Sequence, residues 1–96
     1  MSQQYDEEEI WNMVGFIKIS STRYKTLKTL ESSFLMPSEI ARSTGLGTTQ
    51  VSNALHDLKE KNLVVCVNEN ASKGRIYQNT PLALEVLNRI DNQKLD

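Results

Sequence analysis

With 96 residues, of which 39% are hydrophobic and 24% charged, the chain is long enough for one compact domain and too apolar to be disordered throughout. Its formal net charge of −1 excludes a uniformly basic protein, but residues 18–75 carry nine basic against five acidic side chains, so the middle of the chain is basic. The single cysteine excludes an internal disulfide, and no signal peptide or membrane-spanning run is recognised, so we expect a cytoplasmic protein without membrane contact.

The sequence predicts five helices, the first over about 7–19. Asp6 and Glu9 form a candidate capping box at its start, and the acidic residues of its first turn suit the positive end of the helix dipole. Apolar side chains cover more of this helix than one neighbouring helix would bury. We therefore predict a homodimer in which the first and last helices meet a second copy, with the intrachain core as the alternative place for these side chains. The predicted dimer contact consists of Ile10, Trp11, Met13, Val14, Phe16, Leu87 and Ile90.

The second helix is predicted over about 21–33. Ser20 or Ser21 is a candidate cap at its start, because a serine hydroxyl can accept a hydrogen bond from an unpaired N–H of the first turn. Apolar residues recur at helical spacing and predict the face toward the core. That face comprises Tyr24, Leu27, Leu30 and Phe34.

The third and fourth helices are predicted over about 37–43 and 48–61. Pro37 fits the first position of a helix, where its missing N–H costs nothing, and Gly45 can adopt the left-handed conformation that ends one. In the fourth helix, apolar residues spaced i, i+4 and i+7 predict one inward face. That face comprises Val51, Leu55 and Leu58. Two helices joined by a turn this short predict a helix-turn-helix.

A β-hairpin is predicted after the fourth helix. Residues 63–67 form a β-branched run typical of a strand, 68–74 form a polar loop, and 75–78 form the returning strand. Thr80 and Pro81 then provide a cap and a first residue for a last helix that runs to about residue 93. The apolar positions of this helix are Leu82, Val86, Leu87 and Ile90.

Three stretches of the sequence carry a resemblance to known proteins. They are Pro-Ser-Glu-Ile-Ala-Arg-Ser-Thr-Gly-Leu (37–46), Thr-Thr-Gln-Val-Ser-Asn-Ala-Leu-His-Asp-Leu (48–58) followed by Leu63-Val64, and Gly74-Arg75-Ile76-Tyr77 followed by Thr80-Pro81-Leu82. Over about 21–90 the chain resembles prokaryotic winged helix-turn-helix regulators of the MarR and ArsR groups, especially the small archaeal ones. The resemblance implies a mainly α fold with a small β-hairpin in a single domain over 1–96. Its parts are an N-terminal helix in 1–19, a winged-helix core of three helices and a wing over 21–80, and a C-terminal helix in 81–96.

The resemblance also implies a function, which is sequence-specific binding of double-stranded DNA by a transcription regulator. The helix 48–61 would enter the major groove as the recognition helix, and the wing 68–75 would contact the backbone or the minor groove. A homodimer would read a roughly two-fold site with half-sites about one helical turn apart. The side chains implied in DNA contact are Thr48, Thr49, Gln50, Ser52, Asn53, His56, Arg42, Lys73 and Arg75.

Two departures from these regulators bear on DNA binding. The recognition helix is less basic than usual, because acidic residues oppose its lysines over 57–61, and Met36 stands where relatives have a Ser or Thr cap. Phosphate contacts dominate affinity for DNA, and the resemblance makes Lys59 and the bases of the Arg23–Lys28 stretch candidates for further phosphate contacts.

Other interpretations of these residues remain open. The polar positions 48–56 are also typical of a solvated helix face on a winged helix that binds protein in a transcription or repair assembly. Arg75 can form an ion pair within the hairpin, and Cys66 is either a buried apolar residue or the sensor of a redox-controlled DNA-binding protein. The sequence contains no motif for catalysis, a metal or a cofactor, so we expect no enzyme, and it identifies no effector ligand.

Overall fold

Within residues 5–93, which the structure (a computed structural model) describes, the chain forms five helices and one two-stranded antiparallel sheet. The helices are α1 (Glu7–Lys18), α2 (Ser21–Thr29), α3 (Pro37–Thr44), α4 (Thr48–Glu60) and α5 (Pro81–Gln93). The strands are β1 (Val64–Cys66) and β2 (Tyr77–Asn79), with Val65 opposite Gln78. This order confirms the predicted mainly helical fold with one hairpin. No helix in this range is long and apolar enough to cross a membrane.

One apolar core holds the five helices and β1 together. The residues predicted to face inward on α4 are all buried, and α1 contributes one face at helical spacing that packs against α2 and α5. Burial of a large apolar side chain contributes about 1.5–3 kcal/mol, so this cluster dominates the stability of the domain. Its largest fully buried apolar members are Ile17, Leu27, Ile40, Leu58, Leu63, Leu87, Val51, Val64 and Val86.

The start of α1 differs from the prediction. Asp6 precedes the helix in an extended conformation, but its side chain makes no capping hydrogen bond, so the predicted capping box with Glu9 is wrong. A tertiary contact holds the first turn instead, because both carboxylate oxygens of Glu7 accept hydrogen bonds from the guanidinium of Arg89 in α5, at 2.8 and 2.7 Å. The bidentate geometry makes this a strong contact between α1 and α5, and it lowers the pKa of Glu7 below its ordinary value.

The second helix begins as predicted and ends four residues early. The Ser20 hydroxyl accepts a hydrogen bond from the Arg23 N–H at 3.3 Å, which confirms the cap. The chain leaves the helix because Leu35 pairs with Tyr77 in the hairpin, through N–O distances of 3.1 and 2.9 Å. Neighbouring side chains of an extended segment point to opposite sides. Leu35 therefore packs on the core, and Phe34, which was predicted to face inward, is 67% exposed.

The turn between α3 and α4 forms as predicted. Gly45 ends α3 with a φ of 79°, in the left-handed region that glycine adopts without strain, and its N–H donates to the Ala41 carbonyl at 2.9 Å. At the start of α3, the carboxylate of Glu39 accepts a hydrogen bond from the Met36 N–H at 2.8 Å. Glu39 therefore satisfies the backbone N–H at the cap position, which is occupied by a methionine.

The hairpin is shorter than the sequence predicts. The Ile76 N–H donates to Oδ1 of Asn68 at 2.8 Å, so residues 75 and 76 belong to the loop and β2 begins at Tyr77. Cys66 faces the core and is buried, as the apolar interpretation predicts. We refer to the loop residues 68–75 as the wing.

Candidate nucleic-acid interface

The polar face of α4 projects away from the core. A helix turns by about 100° per residue, so Thr49, Asn53 and His56 share the side opposite Val51 and Leu58. We call the line formed by Thr49, Asn53 and His56 the α4 ridge. All six α4 side chains predicted to contact DNA are exposed, namely Thr48, Thr49, Gln50, Ser52, Asn53 and His56.

A cleft of about 400 Å³ separates the α4 ridge from the wing. It lies between the first turns of α3 and α4 and the wing, and hydroxyl groups and two basic side chains form its polar lining. These polar residues are Ser38, Thr48, Ser52, Ser72, Lys73 and Arg75. The unpaired N–H groups of a first helical turn and the positive end of the helix dipole favour anions. The lining of this cleft is therefore suited to a phosphate group.

A second cleft lies on the other flank of α4, against the start of α2. Its polar lining is Ser20, Thr22, Arg23, Gln50, Asn53 and Asp57. Arg23 is already bonded there, because its Nη2 lies 3.4 Å from Oδ2 of Asp57 and its Nη1 donates to the Phe16 carbonyl at 3.0 Å. Its guanidinium also stacks on the Phe16 ring at 3.9 Å. The α4 ridge thus stands between a basic cleft and a cleft in which the charges are paired.

Comparison with known proteins gives structural matches without a sequence match. No protein-family model matches the chain, and no curated protein matches it. TubR bound to 24 bp of tubC, from Bacillus thuringiensis serovar israelensis pBtoxis, has a TM-score of 0.76 at 13% identity, over 96% of this chain and 99% of that chain. A MarR family regulator from Neisseria meningitidis has a TM-score of 0.69 at 15% identity, over 88% of this chain and 61% of that chain. A homodimeric winged helix-turn-helix DNA-binding domain from Mycobacterium bovis, described as a possible ArsR-family transcriptional regulator, has a TM-score of 0.63 at 23% identity, over 99% and 87%.

The chain has the winged helix-turn-helix fold. The three structures cover 88–99% of this chain at TM-scores between 0.63 and 0.76, which confirms the predicted fold class. In this winged-helix domain, α3 and α4 form the helix-turn-helix, and the loop between β1 and β2 is the wing.

Side chains of the winged-helix domain itself hold the wing in place. Nε of Arg75 donates to the Ala71 carbonyl at 2.9 Å and its Nη2 donates to the Glu69 carbonyl at 3.4 Å, so the guanidinium closes the loop through backbone acceptors. Nζ of Lys59 lies 2.8 Å from Oε1 of Glu69 and ties the end of α4 to the wing. This bond lowers the pKa of Glu69 and raises the pKa of Lys59 from their ordinary values. Lys73, in contrast, is exposed and has no ion pair within residues 5–93.

Asn68 shapes the wing, a role that sequence analysis missed. Its Nδ2 donates to the Gly74 carbonyl at 3.0 Å, and its Oδ1 accepts from the Ile76 N–H at 2.8 Å and from the Cys66 thiol at 3.4 Å. One side chain therefore joins both ends of the loop. Asparagine side chains often bond nearby backbone groups in turns. The asparagine at the start of this polar loop was therefore the signal from which the role could have been predicted.

Gln50 also has a role that the sequence prediction did not assign. Its Oε1 accepts a hydrogen bond from the Gly47 N–H at 2.9 Å, so the side chain caps α4 from the third helical position. On the ridge itself, the side chain of Asn53 makes no hydrogen bond with another described residue. Nε2 of His56 lies 3.6 Å from Oε2 of Glu60, one turn along the helix.

The remaining basic candidates differ in whether they form ion pairs with acidic side chains of the same chain. Nζ of Lys28 lies 2.9 Å from both Oε1 of Glu31 and Oδ2 of Asp91, which raises its pKa and joins α2 to α5. Arg42 on α3 and Lys25 on α2 are exposed, and neither has an ion pair in the part of the chain that the structure describes. Arg42 therefore remains a candidate for a phosphate contact, and Lys28 is held within the domain.

The residues predicted for a dimer contact fall into two groups. Those at the core are Ile10, Val14, Leu87 and Ile90, which are buried within one chain and leave little surface for a partner. Met13 and Phe16 are partly buried, and Trp11 is 42% exposed with the Arg89 guanidinium 5.6 Å from its ring. The exposed part of the predicted contact is therefore centred on Trp11.

Proposed function

We propose that this winged-helix domain binds double-stranded DNA as a transcription regulator, with α4 in the major groove and the wing on the backbone or in the minor groove. The observation that carries the proposal is the α4 ridge, an exposed polar line with a polar cleft on each flank. The major groove of B-DNA is about 12 Å wide and admits one helix. The similarity to TubR, whose structure holds 24 bp of tubC, supports the proposal.

Phosphate contacts and base contacts come from different side chains in this proposal. Lys73 on the wing and Arg42 on α3 are exposed bases beside the helix-turn-helix that have no ion pair within residues 5–93, and the hydroxyls of Thr48 and Ser52 offer neutral donors to phosphate oxygens. Contacts to phosphates fix the register of a protein on the duplex. The α4 ridge then faces the base edges, which carry the sequence information.

We further propose that the domain acts as a homodimer on a two-fold site. Few basic side chains near α4 lack intrachain partners, and a second copy doubles the phosphate contacts that dominate affinity. The domain measures 38 × 33 × 20 Å, so two copies side by side fit half-sites about 34–36 Å apart, one turn of the duplex. The Mycobacterium bovis domain of the same fold is homodimeric, which supports this arrangement.

A salt titration tests the proposal. The protein is titrated into fluorescent duplexes of random sequence, and anisotropy is recorded at several salt concentrations between about 50 and 200 mM. We expect the logarithm of the observed binding constant to fall linearly with the logarithm of the salt concentration, by about 0.9 for each phosphate contacted. Absence of binding, or an affinity that does not change with salt, contradicts the proposal.

Binding of a protein partner is the second candidate function, and one observation favours it. Phe34 is largely exposed and lines a cleft together with Leu84 and Gln78. Contiguous exposed apolar side chains are typical of protein contacts. Under the DNA proposal, Phe34→Ser leaves duplex affinity and its salt dependence unchanged. Absence of duplex binding by the unaltered protein favours the protein-binding function instead.

A further inference from the structure

The α4 ridge lacks the side chains that read guanine most often. Arginine or lysine bonded to O6 and N7 of guanine is the commonest base-specific contact in protein–DNA complexes. Lys59 is the one lysine or arginine within residues 48–60, and its Nζ is held 2.8 Å from Oε1 of Glu69 on the wing flank. The ridge therefore presents no guanidinium or ammonium group of its own to the base edges.

Asn53 is the amide of α4 that is free to meet a base. Gln50, the other amide of this helix, already accepts the Gly47 N–H. The carboxamide of Asn53 is exposed and has no hydrogen-bond partner within residues 5–93. A carboxamide in this state matches adenine, because its N–H donates to N7 while its carbonyl accepts from the N6 amino group.

Thr49 adds a methyl group to the ridge one helical turn before Asn53. Four residues of helix rise by about 6 Å, which is close to two base-pair steps of about 3.4 Å each. The threonine methyl can pack on the C5-methyl group of thymine, which cytosine lacks. Thr49 and Asn53 thus match A·T pairs at nearby positions of one half-site.

We propose that this domain reads a half-site centred on A·T pairs, in which Asn53 bonds an adenine and Thr49 contacts a thymine. The inference rests on the proposed function and adds the class of DNA sequence that the site accepts. His56 is the ridge residue with donors for guanine. Its Nε2 lies 3.6 Å from Oε2 of Glu60. The acceptors O6 and N7 of guanine would have to compete with this carboxylate for the imidazole.

Selection from a random duplex library tests this inference. Bound duplexes are recovered and sequenced for the unaltered protein, for Asn53→Ala and for Asn53→Arg. We expect A·T pairs at the centre of each half-site, and we expect Asn53→Ala to reduce the preference for adenine at one pair per half-site by about 5- to 150-fold. Asn53→Arg should move the preference at that same pair from adenine to guanine.

A matched control and a fold check accompany these variants. Asn92→Ala removes an exposed asparagine of α5 and should leave the selected sequence unchanged. Because Asn53 is exposed, its substitution leaves the core intact, and circular dichroism verifies that each variant is folded.

The outcomes separate this inference from the proposed function. Enrichment of G·C at the pair that Asn53→Ala relaxes, or an Asn53→Ala variant that weakens binding to all sequences equally, overturns the inference while duplex binding stands. An unaltered protein that binds no duplex at any salt concentration overturns the proposed function itself.

Discussion

Position along α4 decides the role of each of its two amide side chains. Gln50 is the third residue of the helix, from which its side chain reaches back to an N–H that lacks a helical acceptor. Asn53 lies beyond the first four residues, where backbone N–H groups are bonded within the helix, so its carboxamide stays in solvent. Gln50 therefore stabilises the start of the helix, and Asn53 is the amide that we propose for base recognition.

Substitution of Lys73 tests whether the wing contacts a phosphate of the DNA backbone. Lys73→Ala should weaken binding to all duplexes about equally and reduce the salt slope by about one, because one phosphate contact is lost. Lys18→Ala is the matched control, since Lys18 lies on α1 and donates to Gln93 at 3.2 Å. Anisotropy titration of both variants measures the slopes. An unchanged slope for Lys73→Ala would mean that the wing does not contact the backbone.

The sequence predicts which α4 side chains face outward, but it does not predict their hydrogen-bond partners. Spacing of apolar residues alone locates the exposed face, because helical geometry is local. Arg75 and Lys73 were both predicted to contact DNA, and they differ because the folded wing presents two carbonyls to Arg75. Arg23 likewise bonds Asp57, 34 positions away, and no local pattern encodes that distance.

Among the structural elements, the wing is supported by several side-chain contacts. Asn68 joins its two ends, Arg75 bonds two of its carbonyls, and Gly74 takes a φ of 66° that favours glycine. The ion pair between Lys59 and Glu69 connects the loop to the last turn of α4. Together these contacts fix where the wing lies relative to the helix-turn-helix.

Asn68→Ala is expected to release the wing while the core remains folded. Each lost hydrogen bond costs about 0.5–1.5 kcal/mol, and the loss falls on the loop. We expect faster hydrogen exchange at the Ile76 amide and a salt slope close to that of Lys73→Ala. Asn70→Ala, which removes an exposed asparagine of the same loop, should change neither quantity. If Asn68→Ala retains both the slow exchange and the full salt slope, Asn68 does not position the wing.

Element boundaries were predictable where local chemistry sets them. The start of α2 after Ser20 and the end of α3 before Gly45 follow from a capping hydroxyl and a left-handed glycine. The end of α2 and the start of β2 were predicted wrongly. Both depend on distant contacts, namely the pairing of Leu35 with Tyr77 and the bond from the Ile76 N–H to a side chain eight residues earlier.

In the molecule as a whole, contacts between α1 and α5 join the two ends of the described chain. The Arg89 guanidinium bonds the carboxylates of Glu7 and Glu85 and lies 5.6 Å from the Trp11 ring. The apolar richness of α1 led to the dimer prediction, and the structure buries most of that surface within one chain. The dimer proposal therefore depends on the exposed surface around Trp11.

Trp11→Lys tests the dimer. A second cation beside Arg89 and the loss of the indole should shift the protein from dimer to monomer in analytical ultracentrifugation, with an accompanying loss of affinity for two-fold sites. Val65→Lys is the matched control, because Val65 is exposed to the same degree (41% against 42%) but lies on β1. A Trp11→Lys variant that remains dimeric at micromolar concentration contradicts the proposed contact.

Under the proposed function, the ion pair between Lys59 and Glu69 affects how strongly the domain is attracted to DNA of unrelated sequence. Attraction to DNA that does not depend on sequence grows with the number of unpaired cations. In this domain, Lys59 of α4 is already paired with a carboxylate of the wing. Encounters with unrelated sequence should accordingly be brief, with frequent release and rebinding. Long residence at an operator would then require base recognition in addition to the phosphate contacts.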